Sequence, residues 1–268
     1  MSGSLKRGGY LALLVILSGW LAPPATPTDW NIDDSKVLDL TYAFDENTVY
    51  WPTAKPFERE VVAAGHTEAG YWYAANNICL AEHGGTHMDA PIHFAEGKRT
   101  AADVPVQQLI GPAVVIDVEA QASTDADYRL SVADIAAWEQ AHGRIPSGAI
   151  VLMYSGWGKR WPDKQRYLGS DEPGDVTTLH FPAFSDEAAQ FLVSQRSIDA
   201  IGVDTPSLDY GQSSDFMVHR IVHGANLPGL ENVANLDQLP PSGALLIALP
   251  MKIAGGSGAP VRIIALLP

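Results

Sequence analysis

The sequence predicts a single α/β domain with a β-barrel-like mixed sheet core and flanking helices. Short apolar or alternating runs recur along the chain, and turn residues bound them. Only two segments carry clear helix-start signals. The 268 residues, of which 46% are hydrophobic and 18% charged, suffice for one large core. Many strands with few helices favour a sheet or barrel over a helical bundle.

Each element rests on its own pattern. The apolar or alternating runs predict strands at 37–44, 60–64, 71–82, 113–118, 149–154, 198–203, 244–249 and 261–266. Ser131 is placed to cap a helix over 131–141, with Asp134 at its third position. Ser185 is placed to cap a second helix over 185–195, whose first acidic residues favour its positive end.

The first 25 residues have the layout of a secretory signal peptide. Lys6 and Arg7 precede an apolar stretch over 10–22, and small residues follow up to Ala25. The stretch is shorter than the roughly 20 apolar residues that span a bilayer. We therefore expect export to the periplasm or the medium, with no stable membrane span in the mature protein. An uncleaved anchor, or a misassigned start and a cytoplasmic protein, are the alternatives.

The charge balance excludes some partners. The net charge is −14, and cleavage after Ala25 would change it to −16, because that segment holds two basic and no acidic residues. Nucleic acids and anionic membranes need basic patches, so we expect neither as a partner. The one cysteine, Cys79, allows no intrachain disulfide, and its apolar neighbours predict that it fills the core.

One short run carries the chemistry. His83, His87, Asp89 and His93 lie within eleven residues, all at odd positions. An extended chain points such positions to one face. Neutral imidazoles and a carboxylate are ligands for zinc-like or manganese-like ions. The run therefore predicts a catalytic metal site.

The spacing requires a bend in the chain. Fully extended, His83 and His87 would stand about 13 Å apart, too far to share one ion. Gly84 and Gly85 permit the unusual torsions of a tight turn. We expect a strand end that turns at these glycines and presents three ligands. His93 is either a fourth ligand or a general acid/base.

The run resembles the cyclase family of metal-dependent hydrolases, which includes kynurenine formamidases and isatin hydrolases. The pattern His-x3-His-x-Asp-x3-His carries the resemblance, and four further segments extend it over residues 36–268. These are Tyr-Trp-Pro at 50–52, Asp-Thr-Pro-Ser-Leu-Asp at 204–209, Glu-Asn-Val-Ala-Asn-Leu at 231–236 and Pro-Val-Arg at 260–262.

The resemblance implies roles for individual residues. His83, His87 and Asp89 match ligands of a first metal, and Asp89 would bridge to a second ion held by His219 and Glu231. His93 matches a proton-shuttling histidine and Trp51 a substrate-contacting tryptophan. The family also implies a homodimer or higher homo-oligomer.

Two segments look closer to the isatin-hydrolase-like members. These are His180-Phe181-Pro182 and the glycine-rich stretch at 255–258. The resemblance thus implies one or two divalent ions per subunit, zinc or manganese. His180 is a candidate for lining the substrate pocket. His66, His142 and His223 have no supporting pattern, and we interpret them as structural or solvated.

The predicted reaction is hydrolysis of a C–N amide bond in a small indole-derived molecule. The substrate would be an arylformamide of the N-formylkynurenine type or a lactam of the isatin type. A metal lowers the pKa of water towards about 7, and His93 would move the proton. A non-hydrolytic cyclase or dehydratase of the same family and a non-catalytic periplasmic metal-binding protein are the alternatives. No Gly-x-Ser-x-Gly element supports a serine hydrolase.

Overall fold

The strands of this protein close into a barrel. The computed structural model describes Met1 and residues 33–268. The described strands are β1 (Val37–Asp39), β2 (Glu58–His66), β3 (Trp72–Cys79), β4 (His87–Asp89), β5 (Ile110–Asp117), β6 (Arg129–Leu130), β7 (Ile150–Tyr154), β8 (Ala183–Phe184), β9 (Ala200–Val203), β10 (Gly229–Glu231), β11 (Leu245–Pro250) and β12 (Gly258–Leu266).

Seven of these strands form the barrel. Their order is β12, β11, β5, β7, β9, β10 and β4, and pairing of β4 with β12 closes the ring. The strands from β5 through β7 and β9 to β10 run parallel, and the other pairs are antiparallel. β1 adds to β12 as an eighth strand. The predicted α/β domain with a barrel-like mixed core is confirmed.

Alternating side chains divide the core into two layers. On β5, Val115 packs into a cluster to which all seven barrel strands contribute, so this cluster fills the interior. Its neighbours Val114 and Ile116 face outward, into a second cluster with residues of three helices. The barrel is therefore packed inside and covered by helices on part of its outer face.

The described helices are α1 (Glu119–Ala122), α2 (Val132–His142), α3 (Lys164–Leu168), α4 (Asp186–Gln195) and α5 (Met217–Gly224). Ser131 and Asp134 form a reciprocal capping box at α2, and the Ser185 hydroxyl caps α4, as predicted. The expectation of only two clear helices is wrong. In particular, α5 begins after Phe216, which has a left-handed backbone and no capping side chain.

Two further predictions need correction. The strand predicted over 37–44 ends at Asp39. The Leu40 N–H still donates to the Ile263 carbonyl, but the Ile263 N–H donates to the Thr41 hydroxyl instead of to a backbone carbonyl. Cys79 is exposed and does not fill the core. Its strand, β3, pairs with β2 in a separate two-stranded sheet, and seven of the eight residues of β3 are exposed.

Apart from Met1, the predicted signal peptide over residues 1–25 lies outside the described residues. In the part of the chain that is described, no helix has the length and apolar character needed to cross a membrane.

The predicted bend before β4 is present at both glycines. Gly84 has φ +151° and Gly85 has φ +57°, in the region that favours glycine. The bend is also tightly packed, since a Cβ on Gly84 would stand 2.0 Å from Cδ1 of Tyr50. Neither torsion nor space permits a larger residue at position 84.

Gly84→Ala should therefore destabilise the protein. We expect a loss of about 2 kcal/mol or more from backbone strain and overpacking. For a domain of this size that lowers the melting temperature by roughly 4–8 °C. Gly65→Ala is the matched control, because nothing lies within 4 Å of its added Cβ. Calorimetry that finds equal melting temperatures for both variants would contradict this account.

Candidate active site

The site lies on the outer face of the barrel, where β4 meets β10. Met88 points into the barrel core, so its neighbours His87 and Asp89 point the other way. On the antiparallel partner strand, Glu231 stands directly opposite His87. The register thus places two carboxylates and one imidazole on one face, and all three side chains are buried.

The glycine bend returns His83 to this face. Its Nδ1 lies 2.5 Å from Oδ1 of Asp89, and its Nε2 lies 2.9 Å from the Ser257 hydroxyl. The ring occupies space beside Gly258, where a Cβ would stand 2.5 Å from His83 Cε1. Glycine at position 258 is therefore a condition for His83 reaching Asp89.

His219 enters the same cluster from α5, and Asp209 positions it. The Asp209 carboxylate accepts hydrogen bonds from the backbone N–H groups of Val218 and His219, 2.9 and 3.1 Å away. It also lies 2.6 Å from His219 Nδ1. A carboxylate accepts, so Nδ1 carries the hydrogen and the Nε2 lone pair points into the cluster. That Nε2 lies 3.3 Å from Asp89 Oδ2 and 3.1 Å from Glu231 Oε1.

His87 shows the same arrangement. Its Nδ1 donates to the Gly85 carbonyl at 3.0 Å. Its Nε2 is buried and has no hydrogen-bond partner among the described residues, although Asp89 Oδ1 lies 3.2 Å and Glu231 Oε2 3.4 Å away. With both rings neutral, two imidazole lone pairs therefore converge with two carboxylates. A cluster made only of acceptors is stable when a cation sits among them, and the donor set fits a divalent metal.

The pKa shifts of the buried groups indicate a cluster that favours positive charge. Burial opposes protonation of His87, but the carboxylates of Asp89 and Glu231 outweigh it and raise its pKa to about 9. Burial, with the nearby charge of Asp89, raises the pKa of Glu231. Burial also disfavours the charge of Asp89, yet the surrounding histidines hold its pKa well below its usual value.

The donors fall into two overlapping groups. One group combines His83, Asp89 and His93, and the other combines His87, Asp89 and Glu231. In each group the donor atoms lie within 4.8 Å of one another. Asp89 belongs to both, which is the geometry that a bridging carboxylate requires. The described residues thus accommodate either one ion or two.

His93 stands between this cluster and an adjoining cavity. Its ring stacks on His83 with centroids 3.8 Å apart. Burial is the main cause that lowers its pKa to about 4, and the neighbouring histidines add to the effect against the pull of Asp89. The imidazole is therefore neutral at pH 7 and able to accept a proton.

The cavity has a volume of about 280 Å³ and is mainly apolar. Trp51, Phe94 and Phe216 contribute aromatic walls, and His83, His87, His93 and His219 lie at its base with Glu231. Trp51 is held edge-on against the buried Phe181, with centroids 6.4 Å apart. Among the described lining residues there is no lysine or arginine. The described lining of the cavity is therefore mainly apolar and aromatic, apart from the histidines and Glu231 at its base.

Most of the predicted site residues come together here. His83, His87, Asp89, His93, His219, Glu231 and Trp51 all line the cavity or contact a residue that does. His180 does not. It lies at the surface, where Nδ1 is 2.8 Å from Asp127 and Nε2 is 2.9 Å from Gln212. The backbone N–H of His180 donates to the Leu168 carbonyl, and the residue is not part of the cavity lining.

Two residues near the cluster have features that the sequence did not predict. Asp209, part of the segment at 204–209, orients His219. His223, expected to be structural or solvated, is fully buried, and both of its ring nitrogens are unpartnered among the described residues. Its ring lies 5.3 Å from that of His219. The spacing of four residues between the two histidines, one helical turn, was the available signal.

Comparisons with known proteins agree with this geometry. Residues 38–210 match the family model described as "Putative cyclase". An isatin hydrolase of Roseibium aggregatum is 39% identical over 207 residues, which cover 74% of this chain and 77% of that protein. A kynurenine formamidase of Salinibacter ruber is 27% identical, with coverage of 84% and 95%.

A solved structure extends the similarity to the fold. Isatin hydrolase A from Ralstonia solanacearum superposes with a TM-score of 0.79 at 37% identity. The match covers 87% of this chain and 92% of that one. The chain therefore belongs to the cyclase family of metal-dependent hydrolases.

Proposed function

We propose that this protein opens the amide bond of a neutral, planar aromatic lactam of the isatin type, with a divalent metal as cofactor. One observation carries the proposal: a cluster of converging imidazole and carboxylate acceptors forms the base of an apolar cavity whose described lining includes no lysine or arginine. The family supports a metal-dependent amide hydrolase, and the shape of the cavity supports the lactam.

We assign the metal to the buried donors. His83, His87 and Asp89 would hold one ion, and Asp89, His219 and Glu231 offer donors for a second. Imidazole and carboxylate suit both zinc and manganese. When bound, a divalent ion supplies a Lewis acid that polarises a carbonyl and lowers the pKa of water.

His93 is our candidate for the proton transfers. It lines the cavity, stacks on His83 and is neutral at pH 7 because burial lowers its pKa to about 4. A neutral imidazole takes a proton from the attacking water. The resulting imidazolium then gives that proton to the departing ring nitrogen.

The cavity walls favour a lactam over N-formylkynurenine. Trp51, Phe94 and Phe216 match a flat aromatic ring. The amino-acid part of N-formylkynurenine carries a carboxylate, and the described lining offers no lysine or arginine to pair with it. Leaving a charge unpaired in an apolar cavity costs several kcal/mol. The greater identity to an isatin hydrolase than to a kynurenine formamidase points the same way.

Export fits this substrate, since an exported enzyme would meet an external indole derivative. The signal peptide, the periplasmic or secreted location and the homo-oligomer stay predictions.

The first test compares substrates on protein loaded separately with manganese and with zinc. We expect kcat/KM for isatin to exceed that for N-formyl-L-kynurenine by about 100-fold, which corresponds to about 3 kcal/mol. Absorbance follows both reactions. Formanilide is the matched control, because it has the formamide bond without the amino-acid charges.

The outcomes of this comparison are distinct. Cleavage of formanilide with rejection of N-formyl-L-kynurenine would show that charge governs selection. Preference for N-formyl-L-kynurenine would contradict the lactam assignment and favour a formamidase. A product of unchanged or dehydrated mass would indicate the non-hydrolytic cyclase class.

Asp209→Asn tests the assignment of His219 as a ligand. The amide cannot accept from the two backbone N–H groups and the imidazole in the same way, so His219 loses its fixed orientation. We expect metal affinity to fall by about 10–100-fold, measured by competition with a chromogenic chelator. Asp127→Asn is the control, because the Asp127 carboxylate bonds to the imidazole of a surface residue, His180. Unchanged affinity in Asp209→Asn would remove His219 from the ligand set.

His93→Gln tests whether His93 transfers protons or binds the metal. We expect the variant to keep its metal, determined by elemental analysis, and to lose about 10²–10⁴-fold in kcat. His87→Ala should lose both metal and activity. Loss of the metal from His93→Gln would make His93 a ligand, consistent with its grouping with His83 and Asp89.

A further inference from the structure

The segment at 231–236 contains two asparagines, Asn232 and Asn235, that the proposed reaction does not use. Both have a left-handed backbone with φ +55°, and both donate from Nδ2 to a main-chain carbonyl far away in the sequence. Asparagine is one of the few residues besides glycine that adopt this conformation at low cost. The two differ in place, because Asn232 is buried and lines the cavity whereas Asn235 is exposed.

Asn232 binds the carbonyl that orients His87. Its Nδ2 lies 2.7 Å from the Gly85 oxygen, and His87 Nδ1 lies 3.0 Å from the same atom. A carbonyl oxygen has two lone pairs and accepts both hydrogen bonds. The His87 ring is therefore held by Gly85, and the Gly85 carbonyl is held by Asn232.

The Gly85 carbonyl needs such a restraint. Gly85 lies two residues before β4, outside the pairs with β10 and β12 that fix the backbone of His87 and Asp89. Gly84 and Gly85 both have positive φ, and glycine has the widest choice of backbone conformations. A peptide group at such a bend rotates at little cost unless its oxygen is bound. Rotation would remove the acceptor that keeps the hydrogen of His87 on Nδ1 and leaves Nε2 free for an ion.

Buried contacts in turn fix the amide of Asn232. Because the Gly85 oxygen only accepts, Nδ2 must face it, and Oδ1 must face the Tyr167 hydroxyl, 2.9 Å away. That hydroxyl shares its hydrogen between Asn232 and the Asp204 carbonyl, which is also 2.9 Å away. The backbone carbonyl of Asn232 accepts from the Thr86 hydroxyl at 2.7 Å. The amide therefore has one orientation that satisfies this network.

We propose that Asn232 is a positioning residue of the metal site, which acts on His87 through the Gly85 carbonyl. Loss of its amide releases this carbonyl, so that the His87 ring is less well oriented and binds an ion less tightly. The proposal rests on the assignment of His87 as a ligand under the proposed function. It does not depend on which substrate the protein takes or on whether a second ion binds.

The test compares Asn232→Gly with Asn235→Gly as the matched control. Glycine accepts the left-handed backbone at both positions, so each variant loses a side-chain bond to a carbonyl without added strain. We expect the affinity of Asn232→Gly for zinc and for manganese to fall about 10-fold, the lower end of the range for groups that orient a ligand. Asn235→Gly should bind both ions like the wild type. Competition with a chromogenic chelator measures the affinities, and melting temperatures of the metal-free proteins measure stability separately.

Cobalt provides a signature that a loss of stability alone does not change. The visible absorption of bound Co²⁺ depends on the arrangement of its ligands. The spectrum of cobalt-loaded Asn232→Gly should therefore differ from that of the wild type, and the spectrum of Asn235→Gly should not. Tyr167→Phe keeps Asn232 but removes the hydroxyl that fixes its amide. We expect it to weaken metal binding in the same direction, by a smaller factor.

The outcomes separate this proposal from the proposed function. A wild type that binds none of these ions would contradict the metal site and the role of Asn232 with it. Equal affinities and spectra in Asn232→Gly and Asn235→Gly would overturn the positioning role and leave the metal site standing. Unchanged affinity with a raised KM in Asn232→Gly would also overturn it, because Asn232 would then act on the substrate directly. If Asn232→Gly does not fold, wild-type affinity in Tyr167→Phe would overturn the proposal.

Discussion

The buried charge of Asp89 and Glu231 is the constraint on which the rest of the site depends. Two carboxylates at this depth would be unfavourable by several kcal/mol each if they stood alone. The chain surrounds them with the imidazoles of His83, His87 and His219, all within 3.4 Å of a carboxylate oxygen. Two of these imidazoles direct their Nε2 atoms into the cluster. Protons on those atoms, or a metal ion bound by them, balance the negative charge of the carboxylates. The same arrangement that permits burial of the acids therefore creates the affinity for a cation.

The barrel makes this cluster rigid. Asp89 lies on the strand that closes the ring, with Gly229 opposite it on one side and Gly258 on the other. Small residues at both neighbouring positions leave room for the imidazoles. Because β4 is hydrogen-bonded on both edges, the barrel fixes the backbone that carries His87 and Asp89. The aromatic walls, by contrast, come from segments outside the barrel strands.

Local patterns in the sequence were sufficient for much of this structure. The capping signals at Ser131 and Ser185 placed two helices correctly, and the glycines at 84 and 85 predicted the bend. The run of histidines identified most of the cluster. In each case the signal and the structure that it predicts lie within a few residues.

The features that sequence reasoning missed have distant causes. α5 lacks a local cap because Asp209, several residues upstream, bonds to its first N–H groups. The strand at 37–39 ends where a threonine side chain meets a residue 222 positions away. Cys79 has apolar neighbours, but its strand joins a separate hairpin. The pairing of β4 with both β10 and β12, which closes the barrel, has no signature in any short window of sequence.

The pairing of β4 with β10 and β12 also affects how the protein folds. β4 is synthesised early, but both of its partners, Gly229–Glu231 and Gly258–Leu266, are synthesised more than 130 residues later. Contacts between such distant segments slow folding, because the loop between them must be closed first. The cluster combines side chains of β4 and β10, so a chain in which these strands have not paired lacks it. An ion that binds only the finished barrel adds to its stability by mass action, about 2.7 kcal/mol at a hundredfold excess over its Kd. The supply of metal during synthesis thus becomes a determinant of how much folded protein accumulates.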